Sequence, residues 1–178
     1  AVSVAPDLFR ELGADVTLLG SAPDGTNINL GCGSTHPEAL QAKVLETGAF
    51  LGLAYDGDAD RLIAVDERGR LLDGDRLLAI CAGHLRGKGL LRDNRITATV
   101  MSNQGFLNAM EAQGILVDRT PVGDRYVLES MQKTGSVLGG EQSGHMIFLD
   151  YATTGDGILS SLQVLDAVLD SGLPASVL

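Results

Sequence analysis

Apolar residues along this chain follow two alternating rhythms, short extended runs and longer stretches at helical spacing. Asp7 to Gly13 predicts a short helix closed by glycine, and Val16–Leu19 a strand. Ser21–Gly33 is a polar, glycine-rich connection. Thr35 to Thr47 predicts a helix with Pro37 in its first turn, capped by Ser34 or Thr35. Its apolar face holds Ala39, Leu40, Val44 and Leu45, and Gly48 follows its end. Leu51–Tyr55 and Leu62–Val65 predict strands around an Asp56–Arg61 loop, and Glu67–Arg70 predicts a turn.

The second half repeats the alternation. Asp75 is positioned to cap a helix running to about Leu85, with Leu77, Cys81 and Leu85 on one stripe. Ile96–Met101 predicts a strand, and Asn103 caps a helix carrying Phe106 and Met110. Ile115–Val117 predicts a strand, and Asp124 caps a helix closed by Gly135. Val137–Leu138 and Met146–Leu149 predict strands around a glycine-rich loop. Ile158, Leu162, Leu165 and Leu169 then mark an amphipathic helix. The alternation predicts an α/β fold of two consecutive units with mixed, mostly parallel sheets flanked by helices. The boundary falls near Arg70–Asp73, giving units 1–70 and 71–178.

Composition narrows the function. The 178 residues carry 13 Lys+Arg against 23 Asp+Glu, a formal charge of −10. That balance argues against a nucleic-acid surface, which needs clustered basic charge. No apolar run is long enough to span a bilayer. Cys32 and Cys81 form no CxxC pair or disulfide framework, so a reducing cytoplasm is the expected compartment.

Three loops following strands concentrate polar groups and glycine. In Asp56-Gly57-Asp58-Ala59-Asp60-Arg61, three carboxylates at alternate positions repel one another unless a cation neutralises them. All-oxygen ligation favours Mg²⁺ or Ca²⁺, and Arg61 can fork onto phosphate. A solvated acidic turn is the plainer alternative. In Thr120-Pro121-Val122-Gly123-Asp124-Arg125-Tyr126, a glycine before a helix start suits an anion. The same pattern also fits a simple cap. In Gly139-Gly140-Glu141-Gln142-Ser143-Gly144-His145, Glu141 and Ser143 suit vicinal hydroxyls and His145 can exchange protons near neutral pH. A hairpin turn with incidental polar residues is the alternative there.

The spacing from Asp56 to Glu67 also matches much of an EF-hand loop, but Arg61 stands where the sharp turn needs glycine. Strands rather than helices on both sides would exclude that reading. Asp73-Gly74-Asp75-Arg76 mimics the first loop and is read as a cap. His84 is read as a helix-dipole partner, and Thr153-Thr154-Gly155-Asp156-Gly157 as an anion loop or the cap of the last helix.

Taken together, in this order, the Asp56–Arg61, Val122–Val127, Gly140–His145 and Thr153–Gly157 segments resemble the α-D-phosphohexomutase superfamily. The Gly-Asp-Arg-Tyr-Val and Thr-Thr-Gly-Asp-Gly segments lean towards its glucosamine branch. The resemblance implies Mg²⁺-dependent phosphoryl transfer on a hexosamine phosphate through a phosphoserine and a bisphosphorylated sugar. It implies Asp56, Asp58 and Asp60 as Mg²⁺ ligands, with Arg61 steadying phosphate. It implies that Glu141 and Ser143 hold sugar hydroxyls, that His145 transfers protons, and that Gly123 and Arg125 line the cleft. The family's Ser-His-Asn-Pro phosphoserine motif does not occur here, since Ser34-Thr35-His36-Pro37 lacks the Asn. The chain is therefore expected to be most of domain 2 plus domain 3 of four, partnered by domains 1 and 4. Without a phosphoryl carrier it is expected to be inactive alone, and a truncated sheet edge invites self-association. The competing expectations are a phosphomannomutase or phosphoglucomutase of the same superfamily, and a non-catalytic divalent-cation-binding module.

Overall fold

The computed structural model describes residues 1–178. Two helices, α1 (Ala5–Glu11) and α2 (Glu38–Thr47), precede an antiparallel sheet of β1 (Leu51–Tyr55), β2 (Leu62–Asp66) and β3 (Leu71–Leu72). The second sheet joins β4 (Arg95–Thr99), β5 (Leu116–Thr120), β6 (Leu138–Gly140) and β7 (Met146–Phe148) in the order β5-β4-β6-β7. Strands β5, β4 and β6 run parallel, and β7 returns antiparallel to β6. The helices of this half are α3 (Gly74–Gly87), α4 (Gln104–Ala112), α5 (Asp124–Thr134) and α6 (Gly157–Ser171). The architecture is α/β, with a mostly parallel second sheet and a wholly antiparallel first one. No helix is long and apolar enough to cross a membrane.

Local chemistry sets most boundaries. The Asp73 carboxylate caps α3 by accepting the Arg76 amide at 3.1 Å, and Asn103 caps α4 through the Phe106 amide at 2.9 Å. Asp156 caps α6 by accepting two amides, from Ile158 and Leu159. The predicted turn after β2 is held by Asp66, which accepts the Arg68 and Arg70 amides at 2.9 Å each and the Arg70 Nε at 2.8 Å. Burial pushes the Asp66 carboxyl up, but these donors outweigh it and leave the carboxyl below its ordinary range.

Several expectations are corrected. Val16–Leu19 is not a strand, because no neighbouring strand takes up its backbone groups. The second helix starts at Glu38, with Pro37 at the cap position and no side-chain cap from Ser34 or Thr35. Asp75 is not a cap; it lies inside α3, buried against the α4 entry. Asp124 is the first residue of α5, and Gly123 holds the cap position at φ 131°, in the region that favours glycine. In α6 the buried face is Ser160, Ser161, Val164, Ala167 and Val168, and Leu169 is 67% exposed. Small residues win that face because β2, α3 and β7 all pack close to it. His84 lies in the last turn of α3, where the helix-dipole reading puts it, and also pairs with the Asp166 carboxylate of α6 at 2.9 Å.

The main core is one cluster of 20 buried residues. It takes Leu62, Ala64 and Leu72 from the first sheet and Leu77, Leu78, Ile96 and Val164 from beyond it. The Arg70–Asp73 junction therefore separates the two sheets without dividing the core.

Candidate functional site

Strands β1 and β2 pair from Leu51↔Asp66 to Tyr55↔Leu62, so Asp56–Arg61 is the hairpin loop between them. The strands on both sides exclude the EF-hand reading. The loop closes tightly: the Ala59 amide donates to the Asp56 carbonyl at 3.2 Å, and Ala59 adopts φ 64°. The Arg61 amide donates to the Asp56 carboxylate at 3.2 Å. This curl brings one oxygen each of Asp56, Asp58 and Asp60 within 4.8 Å of one another.

The three carboxylates oppose each other. Burial, followed by the bonding and charge of Asp56 and the charge of Asp58, holds the Asp60 carboxyl above its ordinary range, while His145 works against the rise. Asp60 Oδ1 is buried without a hydrogen-bond partner. Converging hard oxygen donors, one of them orphaned, fit a hard divalent cation such as Mg²⁺. The Arg61 Nε stands 3.7 Å from Asp56 Oδ2 and 3.8 Å from Asp60 Oδ1, and its side chain is 46% exposed.

The glycine-rich loop of the second half lies directly against this hairpin. Arg61 and His145 form an antiparallel bridge, and the Leu62 amide donates to the Gly144 carbonyl at 3.0 Å. His145 is buried, with Nε2 3.5 Å from Asp60 Oδ2 and Nδ1 unpartnered. Three glycines permit the approach. A Cβ at Gly155 would collide with the His145 ring, one at Gly144 with the Leu62 carbonyl, and one at Gly157 with the Arg61 and Ala59 carbonyls.

The remaining residues surround His145. The Gly123 amide donates to Glu141 Oε1 at 2.9 Å, linking two loops on strands that are not neighbours. A cleft of ≈ 220 Å³ is lined by Asp124, Arg125, Leu128, His145, Ile147, Thr153 and Thr154. Arg125 is exposed and pairs with Glu129 at 2.8 Å, which holds the Glu129 carboxyl below its ordinary range. Ser143 is exposed in the loop between Glu141 and His145. A larger cavity of ≈ 370 Å³, by Phe50 and Leu169, shares no residue with these loops. Sequence reading singles out Thr153–Gly157 as an anion loop or helix cap, but not the packing role of Gly155 and Gly157, whose lack of side chains lets the loops close. Nothing local to them announces that role.

Residues 73–178 match the family described as Phosphoglucomutase/phosphomannomutase, alpha/beta/alpha domain III. Over 175 residues the chain is 57% identical to the phosphoglucosamine mutase of Carboxydothermus hydrogenoformans, covering 98% of this chain and 40% of that protein. The phosphoglucosamine mutase of Bacillus subtilis is 56% identical over 176 residues, covering 99% and 39% respectively. The chain thus spans about two fifths of the length of these relatives. A phosphoglucomutase/phosphomannomutase family protein from Burkholderia thailandensis superposes with a TM-score of 0.79 at 30% identity, over 98% of this chain and 40% of that one. An N-acetylglucosamine-phosphate mutase shares the fold at a TM-score of 0.73 and 22% identity, over 97% of this chain and 44% of that one.

Proposed function

The chain belongs to the phosphoglucomutase/phosphomannomutase family, and on that basis we propose that it carries the metal-bearing and sugar-binding loops of a phosphoglucosamine mutase. The parent reaction would interconvert glucosamine 6-phosphate and glucosamine 1-phosphate by way of a phosphoserine. The reading is supported chiefly by the contact of the Asp56–Asp60 hairpin with the Glu141–His145 loop, through His145 and Asp60 at 3.5 Å. Identities of 56–58% to proteins of that name along the whole chain support the choice of sugar.

Asp56, Asp58 and Asp60 would hold Mg²⁺, which supplies Lewis-acid stabilisation of phosphoryl oxygen when bound. Arg61 adds a fixed positive charge beside the same carboxylates, which a protein of net charge −10 needs locally to accept a phosphorylated sugar. Glu141 keeps one carboxylate oxygen on the Gly123 amide and leaves the other for a sugar hydroxyl. Ser143 offers a second hydroxyl contact, and Arg125 with Gly123 lines the approach. His145, beside Asp60 and lining the cleft, is the residue to which proton transfer is given. Phosphoryl transfer relies on positioning and charge stabilisation, and both kinds of group converge here.

No Ser-His-Asn-Pro phosphoserine segment occurs in the chain, so domains 1 and 4 of the parent would supply the phosphoryl carrier and the grip on the second phosphate. The residues from 1 to about 70 are assigned to domain 2 and the remainder to domain 3. Unpaired Cys32 and Cys81 support a cytoplasmic setting. The edge position of β1 supports self-association of the isolated chain.

Mg²⁺ titration by calorimetry tests the metal assignment. Asp58→Asn is expected to weaken Mg²⁺ at least tenfold, and unchanged binding would sink it. A coupled assay with glucosamine 6-phosphate is expected to show no turnover by this chain alone. Measured turnover would overturn the assignment of the phosphoryl carrier to another domain.

A further inference from the structure

Strand β4 is central in the second sheet, between β5 and β6. Ligands of parallel α/β sheets collect at the carboxyl ends of the strands. At that end β5 leads into Gly123 and β6 into Glu141, and the Glu141–Gly123 bond spans the end of β4 between them. The segment leaving β4 there is Val100-Met101-Ser102-Asn103. It is fastened from several directions. The Val100 amide donates to the Thr120 carbonyl at 2.9 Å, and Arg119 Nη2 donates to the Val100 carbonyl at 3.2 Å. The Met101 and Ser102 amides donate to Thr99.

The strongest fastening is Asp75, 1% exposed, whose Oδ2 accepts the Asn103 amide at 2.7 Å and the Asn103 Nδ2 at 2.8 Å. A buried carboxylate is costly to retain. This one is spent on holding a single loop. The loop so held leaves two large apolar side chains in solvent, Val100 at 51% and Met101 at 60% exposed. An exposed apolar pair on a fastened loop, beside the Arg119 guanidinium and at the sheet end from which the Gly123 and Glu141 loops also leave, suits a pyranose ring. Such a ring has polar edges and C–H faces.

We propose that Val100 and Met101 form an apolar platform for the pyranose ring of the sugar phosphate, and that Asp75 is the positioning residue that sets it. This rests on the sugar-phosphate function proposed above. The platform contributes to affinity for the ring and nothing to affinity for phosphate or metal.

The test measures binding of glucosamine 6-phosphate, inorganic phosphate and Mg²⁺ to this chain. Met101→Ser is expected to weaken glucosamine 6-phosphate about tenfold, the loss of roughly half a buried methionine side chain. Inorganic phosphate, Mg²⁺ and the melting temperature should be unchanged. Undiminished sugar-phosphate affinity in Met101→Ser, or an equal loss for inorganic phosphate, would overturn the platform and leave the functional reading intact. Failure of the unsubstituted chain to bind glucosamine 6-phosphate would instead overturn that functional reading, and the platform with it. Asp75→Ala is expected to cost the same factor for the sugar phosphate and Asp75→Asn to restore it. Should Asp75→Ala not fold, Asn103→Ala removes the Nδ2 bond and keeps the amide bond to Asp75, so a smaller loss confined to the sugar phosphate is expected, and no loss would count against the positioning role. Full sugar-phosphate affinity without the Asp75–Asn103 contact would overturn the positioning role.

Discussion

The two halves of the molecule are stabilised differently. Nine of the 30 buried hydrophobic residues lie before Asp73, yet ten of the 21 exposed large hydrophobics do. The first half contributes one fully buried strand, β2, and a stretch from residue 12 to 37 with no helix or strand. The second half has both faces of its sheet covered, by α3, α4 and α6 and by α5. The acidic hairpin thus sits in the thinner half and takes its rigidity from the thicker one, through the core residues Leu62, Ala64 and Leu72. A loop whose three carboxylates repel needs that external anchor more than the glycine-rich Glu141–His145 loop does.

The largest effect should come from cutting the anchor. Leu62 is fully buried in the shared cluster, so Leu62→Ala should cost about 2–5 kcal/mol. Urea unfolding would register it as a lower midpoint. A cost under about 1 kcal/mol would mean that the halves are independent. Gly144→Ala should follow at about 1–3 kcal/mol, because Gly144 sits at φ 95° against the Leu62 carbonyl. Thermal melts would measure it, and a neutral result would show that the junction is loose.

A smaller, pH-dependent effect belongs to Asp66 at the end of β2. Its folded carboxyl lies below the ordinary range, so its contribution is fully present above the unfolded value of about 3.9. That contribution is lost as pH falls through the lower folded value. Asp66→Asn should therefore lower the melting temperature at neutral pH and flatten its decline in acid. Parallel acid limbs for the two proteins would refute this. Smallest of all, Ile28→Ser at a position 68% exposed should change stability by less than about 0.5 kcal/mol. A larger cost would show that the first half has packing of its own.

Much of the fold was legible because its signals are local. Asn103 before an apolar run, Gly135 after one, and alternating apolar segments around Asp56–Arg61 each act within a few residues. The errors fell where tertiary contacts overrode local preference. Val16–Leu19 has strand composition but no partner strand. Asp75 has a cap's chemistry but a neighbour, Asp73, took that role and left it to hold Asn103. The leucine stripe of α6 was plain in the sequence, yet the core chose the adjoining face with Ser160 and Ser161, where small side chains let β2 and α3 come near.

What the sequence determined by itself is the inventory: three aspartates in one tight loop, a Gly-Glu-Gln-Ser-Gly-His loop, and strands to carry both. What only the tertiary structure decided is their meeting. The contact of His145 with Asp60 depends on backbone close approach at Gly144, Gly155 and Gly157, and that of Glu141 with Gly123 on two strands brought to either side of β4. Such approach is set by the packing of β2 and α6 in a common core, and no short-range pattern of residue types encodes it.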